Sequence, residues 1–137
     1  MKLTRGADYG ARGMIRLAQD APDRVMLVSD IAAREGLPES YLAKIFQELA
    51  RSGIVRSHRG AGGGFSLARS AEHITLRQIV EAIEGPIALN TCLEQGQTDA
   101  CERMGVCSLY PVLKQAQEQL LSTLEGTTLA QLAAESA

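Results

Sequence analysis

From Thr4 onward the chain reads as short amphipathic segments punctuated by glycine and proline. Met14, Ile15, Leu17 and Ala18 recur at helical spacing behind Thr4, a good N-cap, so a first helix is expected from Thr4 to about Ala18. Ala21-Pro22-Asp23 interrupts it, and Val25 to Val28 is apolar enough to be extended. Ser29 is placed to cap a short helix over Asp30–Glu35, with Ile31, Ala32 and Ala33 on its apolar side. Gly36-Leu37-Pro38 then makes a turn: glycine suits the position after a helix end, and proline the start of the next helix. Leu42, Ile45, Phe46 and Leu49 follow at i, i+3, i+4 and i+7, which predicts a helix over Glu39–Arg51.

The period then changes. Gly53 to His58 reads as a strand, Arg59 to Gly64 as a glycine-rich tip, and Phe65-Ser66-Leu67 as a returning strand. Thr75 caps a helix to about Glu84, with Leu76, Ile79, Val80 and Ile83 apolar, and Gly85-Pro86 stops it. Residues 87–107 form a polar loop. From Ser108 to about Leu124 a longer helix carries Leu109, Val112, Leu113, Ala116, Leu120 and Leu124 on one stripe. Gly126 ends it, and Thr127 or Thr128 caps a last short helix through Leu132.

This order predicts a mainly α fold with a small β-hairpin wing. A winged helix-turn-helix domain is expected over 1–84, a cysteine-containing loop over 85–107, and a dimerisation helix with a C-terminal tail over 108–137. The stripe on the long helix needs a partner surface that so small a first domain does not supply, so a homodimer is expected.

Charge sharpens the picture. The net charge of −2 argues against a nucleic-acid partner until it is divided. Residues 1–69 carry 11 Lys/Arg against 7 Asp/Glu, a net of +4, while residues 70–137 carry 3 against 9, a net of −6. A basic first half can meet phosphates while the acidic second half stays clear of them. No apolar run approaches the roughly 20 residues that cross a bilayer. The N-terminus has no apolar stretch of a secretory signal, so a cytoplasmic protein with no membrane partner is expected.

In a helix-turn-helix the second helix enters the major groove. The face opposite Leu42, Ile45, Phe46 and Leu49 offers Ser40, Tyr41, Lys44, Gln47 and Glu48; the first four are the expected base-reading set. In the wing, Arg56, His58 and Arg59 precede a tip beginning at Gly60 that has almost no side chains, which lets backbone approach DNA and Arg59 enter a narrow minor groove. The tip matches neither the P-loop nor the GxGxxG spacing, and no helix stands immediately behind it, so nucleotide binding is not expected.

All three cysteines, Cys92, Cys101 and Cys107, fall in one short window, separated by eight and then five residues. An odd number in such a window is a poor disulfide framework and favours metal ligation. Thiolates suit iron–sulfur clusters and zinc alike; a structural zinc site more typically shows a close Cys-x2-Cys pair and four ligands. No histidine lies in the loop to serve as a base for a thiol nucleophile, and no paired carboxylates or Ser/His/Asp set occur elsewhere, so an enzyme is not expected.

The opening Met1-Lys2-Leu3-Thr4, the segment Tyr41-Leu42-Ala43-Lys44-Ile45-Phe46, the wing Arg59-Gly60-Ala61-Gly62-Gly63-Gly64-Phe65 and the trailing three-cysteine loop resemble the Rrf2 family of bacterial transcription regulators over about residues 1–133. The resemblance is to its IscR-, NsrR- and RirA-like members, in pattern most to the NsrR-like branch. It implies a homodimer on double-stranded DNA with a palindromic operator. It also implies an iron–sulfur cluster, 2Fe–2S or 4Fe–4S, on Cys92, Cys101 and Cys107 with a variable fourth ligand. The first cysteine interval is longer than in the IscR- or NsrR-like members. IscR-like members place a histidine three residues past the last cysteine, where this chain has Tyr110. Asp8 matches the aspartate that NsrR-like members present from the partner subunit, and becomes the expected fourth ligand. The function implied is a cluster-dependent repressor sensing nitric oxide, redox or iron status. The alternative is a cluster-free regulator controlled by thiol oxidation or a partner.

Overall fold

A computed structural model describes residues 2–94 and 107–135. The order is α1 (Arg5–Asp20), α2 (Val28–Glu35), α3 (Glu39–Arg51), β1 (Val55–His58), β2 (Gly64–Leu67), α4 (Leu76–Glu84), α5 (Leu109–Glu125) and α6 (Leu129–Glu135), with single 3-10 turns at Ala71–His73 and Thr91–Leu93. The expected mainly α architecture with a hairpin wing is the one found.

Local chemistry accounts for most of the boundaries. Thr4 caps α1 by accepting from the Ala7 N–H at 3.1 Å. Thr75 and Gln78 close a full capping box at α4. Thr128 accepts from the Gln131 N–H at 3.2 Å, and the Gln131 side chain accepts from the Thr128 N–H at 2.9 Å. Thr128 is therefore the cap of α6, which runs past the expected Leu132 to Glu135. At α2 the expected cap is corrected: the helix begins at Val28, Ser29 lies inside it, and Leu27 stands at its N-cap without a side-chain hydrogen bond. The Leu27 carbonyl accepts from both Asp30 and Ile31 N–H, so backbone alone closes this end. Gly36 ends α2 in the left-handed region at φ 66°, where glycine carries no Cβ penalty.

The core is built between α1, α2, α3, α4 and α6, with the inner side of the wing against it. Met14, Leu17, Ile31, Leu42, Phe46, Leu49, Ile74, Ile79 and Leu129 are fully buried. Glycine lets α1 come close: Gly6, Gly10 and Gly13 lie on its buried face, with the Ile83 side chain against Gly10 and the Phe46 ring against Gly13. The tail helix belongs to this core as well. Leu129 is fully buried, Leu129 N–H donates to the Ile74 carbonyl at 2.8 Å, and the Gln19 side chain donates to the Ala133 carbonyl at 3.1 Å.

The wing is antiparallel, with Val55 opposite Leu67 and His58 opposite Gly64. Met26 adds a third lane through hydrogen bonds in both directions with Phe65, each 2.9 Å, so the apolar stretch before α2 is extended. The Phe46 and Phe65 rings, with centroids 5.2 Å apart, tie the wing to α3. α5 packs on α4 at the margin of this core and has no buried residue.

Candidate nucleic-acid interface and cysteine region

Burial of Leu42, Ile45, Phe46 and Leu49 turns the opposite face of α3 outward. Ser40, Lys44 and Gln47 are exposed there. Tyr41 is 42% exposed, with its ring edge-on against Tyr9 of α1 at 5.7 Å. It therefore braces the first turn of α3 against α1 as well as facing outward.

Arg56, His58, Arg59 and Gly60 are exposed on the wing. His58 Nε2 lies 2.8 Å from Ser66 Oγ across the hairpin, which fixes the ring on the strand surface. The glycines of the tip have two different causes. Around Gly60 a side chain would meet open space. A Cβ on Gly64, at φ 151°, would run into the Met26 backbone, because the third lane of the wing passes there. The bare tip is thus partly a requirement of the wing's own packing.

Electrostatics divides the molecule. Arg16 bonds Glu35 at 2.8 Å and lies 3.5 Å from Asp20; Arg34 reaches Asp20 at 3.1 Å; Arg51 pairs with Glu48; Arg77 bonds Glu81 at 2.8 Å and Glu125 at 3.2 Å. The hydrogen bond to Glu35 raises the Arg16 pKa, and that to Glu81 raises the Arg77 pKa. The Arg34–Asp20 contact is an ion pair only, since Asp20 Oδ2 has no hydrogen bond of good geometry. Among the described residues, Lys44, Arg56, Arg59 and Arg69 have no carboxylate partner. Their charge is free for phosphate.

Cys92 lies on the short turn at Thr91–Leu93, and Cys107 just before Ser108, the N-cap of α5. Both thiols are free and half-buried. Cys101 lies outside the described residues. Gln117 of α5 holds the Cys92 turn: its side-chain oxygen accepts from the Leu89 N–H at 2.9 Å and its amide donates to the Leu93 carbonyl at 3.4 Å. Asp8 sits on α1, 43% exposed and paired with Arg12 at 3.0 Å. Tyr110 is half-buried in the first turn of α5, His73 is exposed in the turn before α4, and neither histidine of the chain joins the two described cysteines. No group of three His, Cys, Asp or Glu side chains is placed to hold a metal among the described residues, so Asp8, Cys92 and Cys107 do not converge within one chain. The two uncommitted thiols are soft donors of the kind that suit iron–sulfur clusters and zinc alike.

Arg69 and Gln117 were not singled out from the sequence. The unmatched arginine beside the wing was visible there; the hydrogen bonds of Gln117 span more than twenty residues and were not.

The Rrf2 family model, described as an iron-dependent transcriptional regulator, matches residues 3–135. The rrf2 protein of Nitratidesulfovibrio vulgaris is 34% identical over 132 residues, covering 96% of this chain and 87% of its own. The T. potens IscR structure superposes with a TM-score of 0.78 at 26% identity, covering 100% of this chain and 89% of that one. The structure of CymR, the global cysteine regulator of B. subtilis, superposes with a TM-score of 0.75 at 30% identity and covers 98% of each chain. The chain belongs to the Rrf2 family and is a DNA-binding transcriptional regulator.

Proposed function

We propose that this Rrf2-family regulator acts as a homodimeric repressor on a palindromic operator, its DNA affinity set by an iron–sulfur cluster on Cys92, Cys101 and Cys107. Ser40, Lys44 and Gln47 reach base edges from α3, and Tyr41, braced by Tyr9, holds that end of the helix in register. Arg59 enters the minor groove behind Gly60, while Arg56 and His58 meet the backbone. Two copies related by a dyad then read half-sites about one helical turn apart.

The observation that carries the cluster reading is the pair of free, half-buried thiols at Cys92 and Cys107, with the Cys92 turn clamped to α5 by Gln117. The outer face of α5 exposes Leu109 at 65%, Val112 at 63% and Leu120 at 38%, with Ala116 between them, an apolar stripe of the kind a second copy covers. When bound, the cluster supplies a junction sensitive to redox state, nitric oxide or iron supply. Cys92 fixes one end of the loop and Cys107 the start of α5. Asp8 from the second copy offers an exchangeable carboxylate, already exposed and held only by a surface pair with Arg12. Holding these groups together sets the separation of the two α3 helices, and releasing them lets it vary.

Anaerobic purification with a visible spectrum and native mass tests this directly. A coloured dimer with bound iron and sulfide, whose operator affinity changes on exposure to nitric oxide, oxygen or a chelator, is expected. Asp8→Ala is expected to make the cluster less stable and to alter its spectrum; an unchanged spectrum and lifetime would remove Asp8 from the ligand set.

A second reading is a cluster-free regulator acting through thiol oxidation. It is favoured by the same two free thiols and by the likeness to CymR, the global cysteine regulator of B. subtilis. A colourless, metal-free protein with full operator affinity would select it.

A further inference from the structure

On the outer side of the wing an open groove of about 680 Å³ runs along β1, between the end of α3 and the turn after β2. Arg56, Ser57, His58 and Arg69 line it, and among the described residues no carboxylate does. The backbone supplies a donor there. Phe65 directs both its N–H and its carbonyl to Met26, so its opposite residue, Ser57, belongs to a pair without mutual hydrogen bonds and turns its N–H away from β2. The far side of β1 is the free edge of the sheet, since the sheet order places β2 and then Met26 on the other side.

Arg69 is oriented in advance. Its Nε donates to the His73 carbonyl at 3.0 Å, which fixes the guanidinium plane and leaves both terminal amines uncommitted. Neither Arg69 nor Arg56 has an ion-pair partner among the described residues, although five other arginines of the chain do. A planar cation with two parallel free amines, beside a second guanidinium and an outward backbone N–H, is chemistry suited to a phosphate monoanion.

We propose that Arg69, with Arg56 and the Ser57 N–H, seats a backbone phosphate of the bound DNA on the outer side of the wing. The seat is continuous with the wing surface that carries Arg59, and it rests on the reading that this wing lies against the bound DNA. It positions the protein on the duplex and reads no base.

The test uses the full chain, a short duplex enriched by the wild-type protein from a randomised pool, and a scrambled duplex of equal length. Arg69→Ala is expected to weaken binding to both duplexes by a similar factor. One lost phosphate contact flattens the dependence of log affinity on log salt by about 0.9, so the ratio of wild-type to variant affinity shrinks about three- to fourfold between 50 and 200 mM salt. Arg69→Lys, which keeps the charge, recovers most of that slope, and the thermal midpoint stays at the wild-type value.

An unchanged affinity and slope in Arg69→Ala would overturn the seat. So would weaker binding with an unchanged slope that Arg69→Lys fails to restore, which would leave Arg69 only as a tie to the His73 carbonyl. Replacing chloride by inorganic phosphate at equal ionic strength is expected to leave the Arg69-dependent increment intact; its saturable loss would assign the seat to a free anion. Arg59→Ala reports separately on the wing. If that variant binds like wild type while Arg69→Ala loses its slope, the minor-groove reading fails and the phosphate seat stands; the reverse pattern removes the seat alone.

Discussion

The edge of the Phe46 ring rests on the bare backbone of Gly13, close enough that a Cβ there would stand 2.8 Å from the ring's Cε2. The same Cβ would lie 3.3 Å from Leu42 Cδ1, and both side chains are fully buried. This contact sets how closely α3 approaches α1, and so how the outward face that carries Lys44 is held. Gly13→Ala pits a helix-propensity gain of about 1 kcal/mol against overpacking of about 1–3 kcal/mol. Phe46 is fully buried with the Phe65 ring against it, so the overpacking wins. Urea denaturation is expected to show a net loss of about 1 kcal/mol; a variant more stable than wild type would mean that the ring yields.

Lys44 stands on the outer face of α3 without a partner among the described residues. Lys44→Ala is expected to weaken binding to the enriched duplex by about 1–3 kcal/mol if the side chain reaches a base edge. Competition between matched and scrambled duplexes is the deciding measurement. Loss confined to the matched duplex identifies a base contact, whereas equal loss on both makes Lys44 a phosphate contact.

Charge on the α5 stripe should divide a dimer without unfolding the chain. The double change Leu109→Glu and Val112→Glu alters two side chains that are largely exposed in the single chain. Native mass spectrometry is expected to show monomer where wild type gives dimer, with the circular dichroism unchanged. A dimer that persists would place the interface elsewhere.

Gln117→Ala removes two hydrogen bonds between the Cys92 turn and α5. Each is a bond worth about 0.5–1.5 kcal/mol net, so local opening of the turn rises from a few-fold to roughly a hundredfold. Alkylation of Cys92 in the metal-free protein, followed by peptide mass, is expected to accelerate accordingly. An unchanged rate would show that the turn is held by other contacts.

The Arg16–Glu35 pair links α1 to α2 at 2.8 Å. The folded-state pKa of Arg16 is raised, first by its hydrogen bond to Glu35. A cation whose pKa is raised on folding contributes stability that is present below its unfolded pKa and lost only as pH rises through the folded one. That window lies in strong alkali. Arg16→Met is therefore expected to lower stability by about 1 kcal/mol, through the lost charge-assisted bond, by the same amount at pH 7 and pH 9.

What the sequence disclosed follows the range of the forces involved. Thr75 with Gln78 and Thr4 before its apolar stripe are local signals, and both helix starts were legible from them. Ser29 was equally local and misled, because the Leu27 carbonyl closes that end of α2 without any side chain. The exposed face of α3 was legible because burial of Leu42, Ile45, Phe46 and Leu49 leaves no other choice. Gly10 and Gly13 look like poor helix formers in isolation; only α3 and α4 packed against them explain their place. α6 likewise reads as a tail until Leu129 is seen inside the core. For the cysteines, the clustering was legible, whereas the hold of Gln117 on the Cys92 turn depends on how α5 folds back.

That return of α6 has a further consequence. The chain leaves the core after Glu84 and re-enters it at Thr127, where the Thr127 carbonyl accepts from the Leu76 N–H at 2.9 Å and Thr128 bridges Thr75. The whole excursion, cysteines and α5 included, is therefore sewn to the two opposite ends of one nine-residue helix, α4. Because α4 packs on both α1 and α3, the two ties of this segment meet the helix that carries Lys44 through a single element.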